Sequence, residues 1–515
     1  MIILKNGNKT ARDFGFSSAI RTLEKGLKDI ETPDVIIAND FLNGREGIKL
    51  KKKTGKLLIA SIHLSHPEKE EEQALMKECD GVIVYSKAMK DFIKKIYPNL
   101  SVPIEVVQLG IDTDLWKCNE TPREDFLLFV GRTKDQNKNF LEIMWKAIKE
   151  KIPLKVAGDL DYAEIPGVNV KYLSQKELMK WYQKAKLHIL PSTFEPFGLV
   201  TLEAMACGCP VAVSTKAGVA ELLNEKVAIL FDPTKEFSLS EFMQKAGAFD
   251  SKEISDFARQ FNHVCYAKSF VRAVERIIIT QEIKRGDYNY FPVKDKAVLD
   301  IGAYLGLTAV HFSERGAKKV YAVEPFGNLS FIQKNIVFIK AGIGKKDDAV
   351  FIDPNYANCA RSRLCEHIQE DGEPLKVMGI NTLINSINEN GIVLKMDCEG
   401  AEDSLFSANK KTLKKIDCMM IETHENICKG IGLELSMFLT QNGFKVRLEA
   451  HGKDVGMIYA ENKLRRMTKW NSTKLIYAEK GRDDVIEQSI EQSKVDITKQ
   501  FSPEIEYLEN QINTL

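Results

Sequence analysis

Two glutamates, Glu195 and Glu203, stand eight residues apart in the segment PSTFEPFGLVTLEAMACGCPV (191–211). An apolar run, LHILPS (187–192), leads into them, so Glu195 falls in a loop just after a strand. Gly198 and Leu199 then open a helix that carries Glu203 within its first turns. Backbone N–H groups at a helix N-terminus, aided by the helix dipole, hold a diphosphate, and Gly198 lets the backbone come close to it. One carboxylate can accept from sugar hydroxyls and the other from a ribose, which suits a nucleotide-sugar. Taken alone, two glutamates are more often a solvated loop residue and a helix-surface residue. The EPFG turn, the small-residue run AMACG and the flanking strands weigh against that plainer reading.

A second cluster lies further on. VLDIGAYLG (298–306) places Asp300, Gly302 and Gly306 in the pattern D-x-G-x-x-x-G after an apolar strand, and the next strand, KVYAVEP (319–325), ends in Glu324. Glycines let the loop turn tightly against a ligand, and an acid at the following strand end can bind ribose hydroxyls. Any Rossmann-like nucleoside site has those parts, but a dinucleotide site prefers G-x-G-x-x-G. The missing diphosphate glycines favour S-adenosyl-L-methionine, whose tail is an amino acid. VLKMDCEGAEDSLF (393–406) delivers Lys395, Asp397 and Glu399 to the sheet edge before a helix begins, with Asp397 and Glu399 on one side if the strand persists that far. MMIETHE (419–425) ends another strand in Glu422, His424 and Glu425. Charges at the end of an apolar strand are costly unless they serve a ligand or a network. No decisive metal-ligand set stands out, so no metal is assigned.

These residues need a scaffold that points them to one edge. Short apolar runs such as DVIIA (34–38), KLLIASI (56–62), DFLLFVG (125–131), KAVLDIG (296–302) and CMMIET (418–423) alternate with amphipathic stretches such as NFLEIMWKAIKE (139–150) and ELMKWYQKAK (177–186). Strands that are apolar on both faces and alternate with helices read as parallel sheets covered on both sides. The polar stretches WKCNETPRED (116–125) and ITQEIKRGDYNYFPVKDK (279–296) read as breaks. Beyond about residue 480 the chain is charged, with a thin apolar stripe, and reads as a peripheral helical tail able to support a homo-oligomer. At 515 residues the chain needs several cores. Lys+Arg 73 against Asp+Glu 72 disfavours a nucleic-acid partner. No run of about 20 apolar residues spans a bilayer, though peripheral membrane contact stays open. The first residues lack a secretion signal, and ten scattered cysteines read as reduced thiols of a cytoplasmic protein.

Residues 34–275 resemble retaining glycosyltransferases of family 4, which have the two-lobed GT-B architecture; the matches are IASIHLS (59–65), LGIDTDLW (109–116), FVGRTKDQNK (129–138), EPFGLVTLE and STKAGVAELL (214–223). The resemblance implies that Arg132 and Lys138 bind the donor diphosphate, that Glu195 contacts the donor sugar, that Glu203 contacts the ribose and that His63 is the active-site histidine. The first lobe is reduced, since only 33 residues precede Asp34. Residues 286–480 resemble the FkbM methyltransferases, which methylate hydroxyls of sugars and other metabolites; the matches are GDYNYF, VLDIGAYLGLTAV, VYAVEPF, KAGIG, NTLI, KMDCEGAE and IETHE. That resemblance puts Asp300, Gly302, Gly306 and Glu324 at the cofactor and KMDCEGAE beside the acceptor. A sugar hydroxyl benefits from a base, for which Asp397 is the first candidate and His424 the second.

The expectation is therefore an α/β chain of three Rossmann-like units. A reduced first lobe (1–118) faces the acceptor, a second lobe (119–278) holds the UDP- or GDP-sugar, a class I methyltransferase follows (283–480), and a helical tail (481–515) ends the chain. The expected function is sugar transfer to a glycan or glycolipid coupled to O-methylation of a sugar hydroxyl. The rival is an active methyltransferase with a non-catalytic, glycan-binding first half.

Overall fold

Three main sheets, largely parallel, organise the chain, each built from the strand–helix alternation seen in the sequence. The computed structural model describes residues 1–4, 15–30, 32–119, 121–158, 168–171, 173–290, 292–326, 329–352, 373–424, 427–450 and 455–462. The expected tail at 481–515, and Glu425, lie outside the described residues.

The first sheet runs in chain order: β1 (Ile2–Leu4), β2 (Ile36–Asn39), β3 (Leu58–Ile62), β4 (Gly81–Val84) and β5 (Ile104–Val106). All neighbours are parallel. Alternate residues face opposite ways along a strand, so Ile36, Leu58 and Val82 join one core while Ile37, Ile59 and Ile83 join another with Tyr266 and Phe270. Both faces are covered, which is why these strands are apolar throughout. β1 is an edge strand, and the lobe has five strands against six in the next.

The second sheet comprises β6 (Glu124–Val130), β7 (Leu154–Ala157), β8 (Val168–Lys171), β9 (Ala185–Leu190), β10 (Val211–Ser214) and β11 (Ile229–Phe231), in the order β11-β10-β9-β6-β7-β8. All neighbours are parallel, and the strand order reverses between β6 and β9, so a crevice opens beyond their carboxyl ends.

The third core uses β12 (Ala297–Ile301), β13 (Lys319–Glu324), β14 (Ile336–Lys340), β15 (Gly342–Gly344), β16 (Asp348–Ile352), β17 (Glu373–Gly379), β18 (Ile392–Met396), β19 (Ile416–His424), β20 (Phe444–Ala450) and β21 (Val455–Asn462). Its main sheet has the order β14-β13-β12-β18-β19-β21-β20, with β21 antiparallel to β19. β15, β17 and β16 form a small accessory sheet. The switch between β12 and β18 makes a second crevice. The α/β architecture and its three Rossmann-like units are as expected.

Three local expectations are corrected. The polar run at 279–296 is not a break from its start: the helix His263–Arg285 continues unbroken across the expected 278/283 boundary and stops at Gly286, whose φ of 89° caps it. The polarity reflects the exposed side of that helix. β18 also ends at Met396, and Glu399 takes a φ of 48°, so Asp397 and Glu399 are not successive strand positions. A 3-10 turn, Glu402–Ser407, follows where an α-helix was expected.

Candidate functional site

In the second lobe the chemistry sits on the loops after β6 and β9, the two strands that flank the reversal. Asp135 caps the turn Gln136–Lys138 by accepting from the Asn137 N–H, and Arg132 donates to Asp135 at 2.6 Å. The Thr193 N–H donates to the Asn137 carbonyl at 2.8 Å, stitching the two loops together. Lys138 then pairs with Glu195, both largely buried. Gly198, at φ 99°, starts the helix Leu199–Ala206 directly beyond. Arg132 is half exposed and remains at the rim.

Glu203 departs from expectation. It is 5% exposed, on the buried side of that helix. Burial pushes its carboxyl up to about 8, with Arg21 of the first lobe pulling the other way. No hydrogen bond or ion pair among the described residues joins Glu203 to Lys138 or Glu195. The helix turns about 100° per residue, which carries this side chain from the crevice toward Tyr182.

His63 follows β3. Its backbone N–H donates to Asp40 at 2.7 Å and its ring lies 4.3 Å from the Tyr85 ring. Burial lowers the imidazole to about 3, so it is neutral. Asp40 holds a φ of 52°, a costly conformation for a non-glycine residue. The lobes meet at the glutamate loop: Ser86 Oγ donates to the Pro196 carbonyl at 2.7 Å, Glu221 accepts the N–H groups of Lys87 and Ala88 at 3.0 Å each, and Phe92 packs on Phe194.

In the third core a cavity of about 230 Å³ opens at the β12/β18 crevice. Gly302 floors it at φ 75°; a Cβ there would lie 1.6 Å from the Asp397 carbonyl oxygen, so only glycine fits. Glu324 lines it and accepts the N–H groups of Tyr304 and Phe326 at 3.0 and 3.1 Å, while burial raises its carboxyl to about 7. Asp300 and Gly306 stand behind the wall. Asp300 is fully buried, accepts from Thr308 Oγ1 at 2.6 Å and faces Lys395 at 3.3 Å. Cross-strand register places Asp300 beside Lys395. Lys395 in turn donates to the Gly302 carbonyl at 2.9 Å and faces Asp397 at 3.6 Å. Burial opposes its charge, but Asp300 and Asp397 outweigh it and hold the ammonium above its ordinary value.

Glu422 is the residue that the candidate set missed. The parallel register pairs Lys395 with Met420 and Met396 with Ile421, so Asp397 comes opposite Glu422. The Asp397 charge, then burial, raises Glu422 to about 8. His424 is different. Burial would lower it, but Glu402 at 3.1 Å from Nδ1 and Glu399 at 3.4 Å from Nε2 outweigh burial and raise it to about 9. Those carboxylates favour a ring carrying two protons, which argues against His424 as the base. Donor atoms of Asp397, Glu422 and His424 lie within 4.8 Å of one another, a set the sequence did not single out. A divalent cation there would first have to displace the His424 proton.

Both crevices thus carry motif residues at the carboxyl edge of a doubly wound sheet. Residues 5–115 match Glycosyltransferase Family 4, residues 124–246 match Glycosyl transferases group 1, and residues 300–446 match the Methyltransferase FkbM domain. One chain carries glycosyltransferase and FkbM methyltransferase domains together. An uncharacterized glycosyltransferase of Methanocaldococcus jannaschii is 28% identical over 244 residues, 39% of this chain and 63% of that protein. A glycogen synthase of Mycobacterium tuberculosis is 29% identical over 252 residues, 42% of this chain and 60% of that protein. The chain therefore spans less than two thirds of the length of either relative. Among solved structures, sucrose-phosphate synthase from Thermosynechococcus elongatus is similar at a TM-score of 0.39 and 18% identity, covering 54% of this chain and 79% of that one. Among the described residues no helix is long and apolar enough to cross a membrane.

Proposed function

We propose that the glycosyltransferase half moves a sugar, with retention, from a UDP- or GDP-sugar to a glycan or glycolipid, and that the FkbM half methylates a hydroxyl of that sugar or a neighbour using S-adenosylmethionine. The observation that carries this reading is that each half sets its own charged residues at the switch-point edge of its own sheet. In the first crevice, Lys138 offsets charge that builds on a departing diphosphate. Glu195 keeps Lys138 in place and accepts from sugar hydroxyls. The neutral His63 lies in the facing lobe.

The second cavity fits a cationic methyl donor. Among the described residues six acidic side chains line it, Glu275, Glu282, Glu324, Asp397, Glu399 and Glu422, against one lysine, Lys395. That balance suits a ligand with a sulfonium and an ammonium. Bound there, S-adenosylmethionine supplies an electrophilic methyl carbon. The chain aligns an acceptor oxygen in line with it, and the Asp397–Glu422 pair takes the hydroxyl proton.

Because Glu422 must be unprotonated to act, kcat/KM for methyl transfer rises as pH increases through about 8 and levels above it. Glu422→Gln removes that rising limb in a pH–rate profile. A wild-type profile that is flat from about pH 6 to 10 contradicts this assignment.

The whole function is tested by incubating the full chain with UDP- and GDP-sugars, methyl-labelled S-adenosylmethionine and glycan acceptors, then weighing the products. One added sugar and one added methyl group are expected. Methyl transfer without any sugar transfer would instead favour a first half that only binds glycans.

A further inference from the structure

We infer that the helix His263–Arg285 of the glycosyltransferase half is also a wall of the methyl-donor cavity, and that Glu275 on it is a positioning residue for methyl-donor binding. The inference rests on reading that cavity as the methyl-donor site. Pro33 of the first lobe and Glu275, Ile278, Ile279 and Glu282 of the helix all line the cavity. Without them it lacks one side.

Glu275 is 8% exposed and accepts the Tyr304 hydroxyl. Tyr304 belongs to the glycine loop after β12 and holds a φ of 44°, a conformation that strains a non-glycine residue. The same residue donates its backbone N–H to Glu324 at 3.0 Å. A part-buried tether thus runs from Glu275 through a strained loop residue to the acid expected at the ribose. The tether pins the loop in the one conformation that presents the Tyr304 N–H to Glu324. Further along the helix, Glu282 accepts from Tyr288 at 2.9 Å and feels the Asp397 charge.

The first lobe sets where this helix lies. Ile277 packs so closely on Gly81 that a Cβ there would approach it to 2.4 Å. Gln281 donates to the Asp80 carbonyl and Lys284 to the Ser101 carbonyl. Since the lobe fixes the helix and the helix fixes the loop, methyl-donor affinity depends on the lobe.

The test uses the full-length chain, with S-adenosylmethionine binding measured by calorimetry and methyl transfer by steady-state kinetics. Glu275→Ala raises Kd and KM for S-adenosylmethionine about tenfold or more and leaves kcat at saturating donor within about twofold. Glu275→Gln restores most of the affinity, because its side-chain carbonyl still accepts from Tyr304. Tyr304→Phe removes the same bond from the loop side and reads the effect even if Glu275→Ala does not fold. Wild-type affinity in both Glu275→Ala and Tyr304→Phe overturns the inference alone, as does a fall in kcat with affinity unchanged. A wild-type chain that binds no S-adenosylmethionine overturns the parent reading and this inference with it.

Discussion

Gly302→Ala is expected to abolish methyl-donor binding and to lower methyl transfer by about 10²-fold or more, while sugar transfer continues. The added methyl would stand 1.6 Å from the Asp397 carbonyl oxygen and 2.7 Å from its carbon. Neither neighbour is the free end of a side chain; both belong to backbone held by the Asp397 N–H bond to the Ile301 carbonyl at 3.1 Å. The loop or the end of β18 must shift, and either shift separates Glu324 from Asp397. The φ of 75° at this position adds strain for alanine. Calorimetry with S-adenosylmethionine, run beside a thermal melt, checks this. Unchanged affinity would show that the floor of the cavity yields more easily than its contacts imply.

Lys138→Ala is expected to cut sugar transfer by about 10²- to 10³-fold, the loss found when one preorganised charge-stabilising group is removed from an active site. Methyl transfer should be unaffected, because the two crevices lie on different sheets. Glu195→Ala should cost a similar factor for a second reason: it removes the carboxylate that holds Lys138 and leaves a largely buried ammonium unpaired. Since the two side chains act as one unit, Lys138→Ala with Glu195→Ala should lose little more than either alone. Steady-state rates on a nucleotide-sugar with each variant decide the matter. A Lys138→Ala protein that transfers sugar at the wild-type rate would remove the lysine from the mechanism. Arg132→Ala should matter less, because that side chain is half exposed at the rim, where among the described residues it pairs with Asp135.

Much of the arrangement was legible in the residues. DVIIA, KLLIASI, DFLLFVG and KAVLDIG are long enough, and apolar on both faces, to be buried parallel strands, and they became β2, β3, β6 and β12. Short edge pieces such as Val168–Lys171 and Ile229–Phe231 carry too few residues to show a period. Glycines that must adopt positive φ next to a strand end, Gly198 and Gly302, were readable because so few other residues can stand there.

The sequence alone determined the three cores, the strand ends that carry charge and the glycines that let a ligand near, because each follows from local period, turn chemistry and side-chain type. Only tertiary structure decided which charges meet. It turned Glu203 inward against Tyr182, set Glu422 opposite Asp397 through strand register, surrounded His424 with carboxylates that keep it protonated, and brought Glu275 from one half against Tyr304 of the other. Those outcomes depend on residues far apart along the chain, and electrostatic and packing energies act through space, where one-dimensional spacing carries no information about distance.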